Sequence, residues 1–121
     1  MAQARILISS LVASAAAAHG GPVVARRQAA ALVRRGFEVC IAAPRGERCD
    51  GDPFEAHIYA PGVQPSDRLG FKRFDAKAVE ELSRLIDRFR PDVVYDIHGP
   101  PWAVDAAARH GVPVISMIMV L

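Results

Sequence analysis

The sequence has little of what would place it in several large protein classes. Its two cysteines, Cys40 and Cys49, are too few for a disulfide framework or a four-ligand zinc site. Aromatic residues make up only 7% of it and no basic block is interleaved with them, so nucleic acid is not an implied partner. No apolar run reaches the about 20 residues that span a bilayer. We therefore expect a cytoplasmic globular protein.

The chain does contain enough apolar material for one core. Of its 121 residues, 51% are hydrophobic and 23% are charged, which is typical of a single soluble domain. The stretch from Arg5 to Ala18 also resembles a secretory signal peptide. Its cleavage would remove the first strand predicted below and leave the following helix nothing to pack on. We therefore treat residues 1–121 as one domain.

The opening residues predict a strand, a glycine loop, a helix and a second strand. Apolar runs at 5–9 and 37–43 flank a helical segment that begins at Pro22, directly after Gly20 and Gly21. Glycines before a helix allow a ligand to approach the free N–H groups at its positive end, so both are candidates for binding a donor phosphate or an acceptor. The alternative is that they only shape the entry to the helix.

The outer face of this first helix, predicted over 22–35, is basic. We interpret the face as solvated and leave open a membrane surface as its partner. Its four members are Arg26, Arg27, Arg34 and Arg35.

The remaining residues predict three more strands and two more helices. Asp75 is a suitable N-cap for an amphipathic helix that ends before Pro91. The near-continuous apolar run after Pro91 is typical of a parallel strand covered on both faces. We predict strands at 54–60 (short, at a sheet edge), 92–97 and 113–120, and a last helix at 102–110. The order is that of an α/β, three-layer Rossmann-like domain with a mainly parallel sheet.

Four stretches together resemble the N-terminal domain of GT-B glycosyltransferases, in particular the large group that includes sucrose synthases and bacterial mannosyl- and glucosyltransferases. They are Arg5 to Ser9, Gly20-Gly21 with the helix that leads to Leu32 through Val39, Arg90 to Pro100, and His110 to Ile115. The resemblance covers nearly the whole chain and implies one half of a GT-B architecture. In that family the N-terminal domain holds mostly the acceptor, and a C-terminal domain holds mostly the sugar nucleotide.

The resemblance implies the N-terminal half of a glycosyltransferase that moves a sugar from a nucleotide-sugar donor to an acceptor. We expect it to be inactive without a donor-binding half, supplied by a C-terminal GT-B domain or a separate subunit, and to need no metal or other cofactor. The paired glutamates of that half are matched in spacing by Glu47 and Glu55, but these lie in the wrong half and the match is a coincidence. The alternative is a non-catalytic GT-B-like binding or partner-docking module.

The resemblance also implies a catalytic residue, His98. It follows the fourth strand, where open α/β sheets bind ligands, and could hydrogen-bond a sugar hydroxyl or stabilise charge in an oxocarbenium-like transition state. The pattern in similar enzymes is Asp-Val-Val-His-x-His-x-Pro; here Tyr95 replaces the first histidine, and Asp96 could point where a histidine would. His98 could instead only cap the turn.

Trp102, just beyond His98, has two readings. Its ring could stack on a sugar or lipid portion of the acceptor, or it could fill the core.

The sequence lacks the motifs of two other classes of α/β protein, one enzymatic and one signalling. A nicotinamide-dependent oxidoreductase needs G-x-G-x-x-G after the first strand and an acidic residue after the second, which instead ends at Ala43-Pro44. A receiver domain needs acidic residues where Ser9 and Ser10 stand.

Overall fold

Five parallel strands form one sheet in the computed structural model, which describes residues 3–13, 21–62 and 73–117. The order across the sheet is β3-β2-β1-β4-β5, with β1 central and β3 and β5 at the edges. Every pairing of neighbours is parallel. The predicted parallel sheet and the edge position of the third strand are confirmed. The strands are β1 (Arg5–Ser9), β2 (Glu38–Ala43), β3 (Glu55–Ile58), β4 (Val93–Ile97) and β5 (Val114–Met117).

Helices cover both faces of this sheet. Alternate side chains of β1 point to opposite faces, as the two-residue period of a strand requires. Ile6 and Ile8 pack with α1 (Gly21–Arg34), whereas Leu7 packs with α2 (Ala76–Phe89) and α3 (Trp102–His110). Each face therefore has its own apolar core, and the three-layer Rossmann-like fold is confirmed.

The ends of α2 are fixed by local sequence. Asp75 caps the helix: one carboxylate oxygen accepts from the Ala78 N–H at 3.1 Å and the other from the Gly62 N–H at 2.7 Å. The helix closes at Arg90, which adopts a left-handed backbone (φ 53°) directly before Pro91. Both boundaries match the prediction, because a cap and a proline act within a few residues of themselves.

The predicted bounds of five elements differ slightly from the observed ones. The strands β2 and β4 each begin one residue later than predicted, at Glu38 and Val93. The first helix begins one residue earlier, at Gly21, and the third strand is confined to Glu55–Ile58. The part of the predicted last strand beyond Met117 lies outside the described residues.

The basic face of α1 is smaller than predicted. Arg27, Arg34 and Arg35 are exposed, but the Arg26 side chain is only 18% exposed and turns inward to Asp52. A helical pattern cannot show this, because Asp52 comes from a loop 26 residues away. Within the described part of the chain, no helix is long and apolar enough to cross a membrane.

The sheet has a switch point between β1 and β4. The chain passes from β1 to α1 on one face and from β4 to α3 on the opposite face. The two connections therefore diverge from the carboxyl edge of neighbouring strands, which is where open α/β sheets have their ligand-binding crevice.

Candidate functional site

Two polar residues lie in the last two positions of the strands that border this crevice. Ser9 of β1 lies beside Asp96 of β4 in the strand register. Ser9 is buried, and its hydroxyl oxygen has no hydrogen-bond partner among the described residues. The following residue, Ser10, is also buried, and its hydroxyl donates to the Val12 carbonyl oxygen at 3.1 Å. The site therefore has a polar floor beneath the loops.

The turn after β4 presents His98 to solvent. The Asp96 carboxylate accepts a hydrogen bond from the Gly99 N–H at 3.0 Å, and His98 lies between the two. His98 is exposed and has a left-handed backbone (φ 57°), which is uncommon for a residue other than glycine. Such conformations persist where the surroundings impose them, and they cluster at functional sites. The structure thus places His98 at the carboxyl edge of the sheet, directly after β4; its catalytic role stays a prediction.

Gly99 fixes the distance between this turn and β1. A Cβ atom at Gly99 would overlap the Ser9 hydroxyl oxygen and lie 2.9 Å from the Ser9 carbonyl carbon. No real side chain fits at that separation, so the position requires glycine. The close contact holds the turn that carries His98 against the carboxyl end of the central strand.

Asp96 is held in a state unusual for a surface carboxylate. Burial raises its pKa above the ordinary value, while the hydrogen bond from Gly99 and the nearby charge of His98 partly oppose this increase. The carboxylate stabilises the turn by accepting the Gly99 N–H, which gives the aspartate at position 96 a structural role. Asp96 therefore takes up a proton more readily than a free aspartate does.

Asp96→Asn is expected to stabilise the chain at neutral pH relative to the wild type. Because the folded pKa of Asp96 is raised, its contribution to stability is full below the unfolded pKa and is lost as the pH rises through the folded pKa. Asparagine keeps an oxygen for the Gly99 N–H and has no such loss. Urea unfolding of both proteins between about pH 3 and about pH 7 should show the variant gaining on the wild type as the pH rises.

Glu47→Gln serves as the control for this pH series, because Glu47 is exposed and lies in the loop after β2. Its unfolding free energy should follow that of the wild type at every pH. A stability difference between Asp96→Asn and the wild type that does not change with pH would refute the assigned state of Asp96.

Trp102 lies in the core and not in the crevice. Its ring is fully buried, its indole N–H donates to the Arg73 carbonyl oxygen at 2.7 Å, and it meets the Tyr59 ring edge to face with 6.1 Å between centroids. The ring has no exposed face on which a ligand could stack. The structure thus supports the core-filling role of Trp102 and replaces its predicted part in acceptor binding.

The glycine loop is described only at its end. Gly21 is the first residue of α1, whose first turn has no acidic residue, so no side-chain charge there offsets the positive helix end. Gly20 belongs to residues 14–20, which lie outside the described residues. Ligand binding by Gly20 and Gly21 stays a prediction.

Among the described residues, neither Cys40 nor a cluster of metal ligands offers a reactive centre. Burial raises the pKa of Cys40 to about 12, so its thiol is not a nucleophile near neutral pH. No three His, Cys, Asp or Glu side chains gather as a metal-binding group within residues 3–13, 21–62 and 73–117.

Sequence reasoning missed the contacts that shape the crevice. The spacing Asp96-x-x-Gly99 is that of a turn in which an aspartate accepts from a later backbone N–H, and it could have predicted the turn. The contact between Gly99 and Ser9 joins residues 90 positions apart, and no local pattern indicates it.

Comparison with known proteins connects this geometry to one family. The sequence matches the family model described as Glycosyltransferase Family 4 over residues 18–118. No curated protein matches the chain significantly.

Several solved structures share the fold. A glycosyltransferase from Rickettsia africae ESF-5 is 13% identical to this chain, with a TM-score of 0.64. The match covers 96% of this chain and 30% of the Rickettsia protein. UGT73P12 from Glycyrrhiza uralensis, solved with glycyrrhetinic acid 3-O-monoglucuronide, is 17% identical, with a TM-score of 0.55. The match covers 96% of this chain and 28% of UGT73P12. The C-terminal domain of a hydrogenase from Pyrococcus furiosus is 14% identical, with a TM-score of 0.64. The match covers 98% of this chain and 94% of the hydrogenase domain.

At these identities the similar structures show the fold alone, and the same fold serves unrelated activities. The chain spans less than a third of the length of the Rickettsia and Glycyrrhiza proteins.

Proposed function

The chain belongs to glycosyltransferase family 4, and we propose that it forms the acceptor side of a cleft in which a sugar passes from a nucleotide-sugar donor to an acceptor. The resemblance to the N-terminal domain of GT-B glycosyltransferases is thereby confirmed. The observation that carries the proposal is the family match over 18–118, which includes both the start of α1 and the turn that presents His98.

We propose that the donor-binding half comes from a C-terminal GT-B domain or from a separate subunit. The chain covers 30% of the similar Rickettsia glycosyltransferase, which leaves most of a complete enzyme to be supplied by other residues. Residues 1–121 would then be the acceptor-side domain. No metal or cofactor has a role in the proposal. The site of action would be the cytoplasm, where the two free cysteines stay reduced.

In the proposed reaction the bond between the sugar's anomeric carbon and the donor phosphate oxygen breaks, and the acceptor oxygen forms a new bond to that carbon while losing its proton. His98 would meet the transferring sugar, because its imidazole is exposed at the end of β4. A hydrogen bond that a sugar hydroxyl donates to an imidazole nitrogen would strengthen as positive charge develops on the sugar, and this would lower the barrier. Backbone N–H groups at Gly20 and Gly21 would face a phosphate group.

His98→Ala is expected to reduce sugar transfer by the complete enzyme about 100-fold or more, the usual scale for a positioned imidazole. The free energy of unfolding should change little, because the His98 side chain is exposed and its truncation removes no buried contact. The measurement is the rate of nucleotide release from UDP-glucose or GDP-mannose in the presence of acceptor, together with urea unfolding of the same preparations.

His110→Ala is the matched control for this loss. His110 ends α3 at the amino edge of the strands, opposite the carboxyl edge that carries His98, and its Nδ1 lies 3.3 Å from an Asp87 carboxylate oxygen. Its transfer rate should equal that of the wild type. Equal rates for His98→Ala and the wild type would exclude His98 from the reaction and leave it the turn-capping role.

A complete protein that binds acceptor but never releases nucleotide would favour the non-catalytic binding or docking module. The same assay therefore separates the two functions.

A further inference from the structure

Three polar side chains lie side by side across the sheet near its carboxyl edge. In the strand register Ser9 of β1 is beside Asp96 of β4, and Asp96 is beside Ser116 of β5. Residues in register on neighbouring parallel strands project to the same face, and the strands are about 4.8 Å apart. We call Ser9, Asp96 and Ser116 the polar row.

The polar row lies on the face of the sheet that α2 and α3 cover. Each member comes two residues after a side chain of the core beneath these helices, and side chains two positions apart on a strand share a face. Exposure increases along the row, since Ser9 is buried, Asp96 is half-buried and Ser116 is exposed. The row is therefore open to solvent on its β5 side. The three preceding core residues are Leu7, Val94 and Val114.

The fold uses little of the hydrogen-bonding capacity of the polar row. One carboxylate oxygen of Asp96 accepts from the Gly99 N–H, and the other has no hydrogen-bond partner among the described residues. Within the same part of the chain the hydroxyls of Ser9 and Ser116 also have none. Ser9 lies beneath Gly99, out of reach of a ligand. Asp96 and Ser116 are thus the members that a ligand can contact.

The turn after β4 does not require the negative charge of Asp96. An asparagine oxygen would accept the Gly99 N–H equally well. Because burial raises the pKa of Asp96, the charged carboxylate lowers stability at neutral pH. A charge that costs stability and serves no contact within the fold is typical of a functional site.

We propose that Asp96 binds the acceptor: its second carboxylate oxygen accepts a hydrogen bond from one hydroxyl group, and Ser116 contacts another hydroxyl of the same molecule. The ligand class is a neutral polyol such as a sugar ring, because a carboxylate accepts from hydroxyl donors and repels phosphate and other anions. That this polyol is the acceptor rests on the proposed function; the binding itself does not.

NMR titration of the 121-residue chain with methyl α-glucoside tests the site directly. The backbone amides of Gly99 and Ser116 should shift in a saturable way, because the first donates to Asp96 and the second belongs to the row. In Asp96→Asn the affinity should fall about tenfold, since a neutral hydrogen bond replaces a charge-assisted one. Ser116→Ala should weaken binding by a smaller factor.

Asp87→Asn is the matched control for Asp96→Asn. Asp87 is exposed in the last turn of α2, where it faces His110 at the amino edge of the strands. Its variant should bind methyl α-glucoside with the wild-type affinity. Urea unfolding of both variants shows whether a loss of binding has any cause in the fold.

Three outcomes overturn the proposal. The first is a wild type whose Gly99 and Ser116 amides give no saturable shift with methyl α-glucoside. The second is equal affinity in Asp96→Asn and Asp87→Asn. The third is an equal response of the same two amides to inorganic phosphate, which would contradict the neutral ligand.

Nucleotide release by the complete enzyme keeps this proposal separate from the proposed function. Polyol binding that depends on Asp96, without any nucleotide release, would support the site and favour the non-catalytic binding module. Nucleotide release by a protein whose chain does not bind the polyol would support the transfer reaction and remove Asp96 from it.

Discussion

Trp102→Ala is expected to lower the free energy of unfolding by about 3–5 kcal/mol, the range for removing a buried aromatic side chain. The ring, at the start of α3, is fully buried in the core that α3 shares with α2, and its indole N–H donates to the Arg73 carbonyl oxygen. Truncation leaves both a cavity and an unpaired carbonyl. Urea unfolding monitored by circular dichroism measures the loss, since the only tryptophan of the chain is the residue removed.

Trp102→Phe separates the two contributions. It keeps most of the apolar volume and the contact with Tyr59 but removes the hydrogen bond to Arg73, so we expect a loss of about 1–2 kcal/mol. A loss of unfolding free energy below about 1 kcal/mol for Trp102→Ala would contradict the core assignment and favour the alternative, in which the ring stacks on the acceptor.

Gly99→Ala is expected to destabilise the chain by about 3 kcal/mol, because a new methyl group is forced against a packed backbone. The added carbon would lie 2.9 Å from the Ser9 carbonyl carbon and 3.0 Å from its oxygen, and neither atom can move without displacing β1. The turn that carries His98 should shift as well. We therefore also expect transfer by the complete enzyme to fall in Gly99→Ala, measured as nucleotide release alongside urea unfolding.

Gly111→Ala provides the comparison for a glycine without a close neighbour. Gly111 has a positive φ of 68° at the end of α3, and a Cβ atom there would meet nothing within 4 Å. Its cost is backbone strain alone, about 1–2 kcal/mol, and transfer should be unchanged. Equal losses of stability and activity in the two variants would disprove the close packing of the turn on Ser9.

The fold was predictable because its elements are specified locally. Apolar runs gave the strands, and the cap at Asp75 and the stop at Pro91 gave the bounds of α2, since each acts through its own neighbours. The parallel sheet followed from strands that are apolar on both faces, a pattern that only burial beneath two helical layers explains.

The site was less predictable because its contacts are long-range. Arg26 lies on a face of α1 that looks solvated in a helical projection, but the loop after β2 covers it and supplies Asp52. The sequence allows Trp102 either to bind a ligand or to fill the core, because its position after His98 suits both roles. Its contacts with Tyr59 and Arg73, which are distant in sequence, place it in the core. The pattern located His98 at the edge of the sheet, but the left-handed backbone that presents it depends on Gly99 meeting Ser9.

The fold of this chain is shared by proteins with different activities. A three-layer α/β domain of this shape also occurs in the C-terminal domain of a hydrogenase, so the fold by itself does not indicate sugar transfer. The family match over 18–118 and the exposed histidine at the switch point supply what the fold does not.

Nucleotide release from UDP-glucose or GDP-mannose, measured for this chain alone and for the chain combined with its donor-binding half, tests the central claim most directly. We expect release only when both halves are present, because in the proposed function this chain provides the acceptor side of the cleft and other residues supply the donor-binding half. Release by the 121-residue chain alone, at the rate of the combined halves, would contradict it.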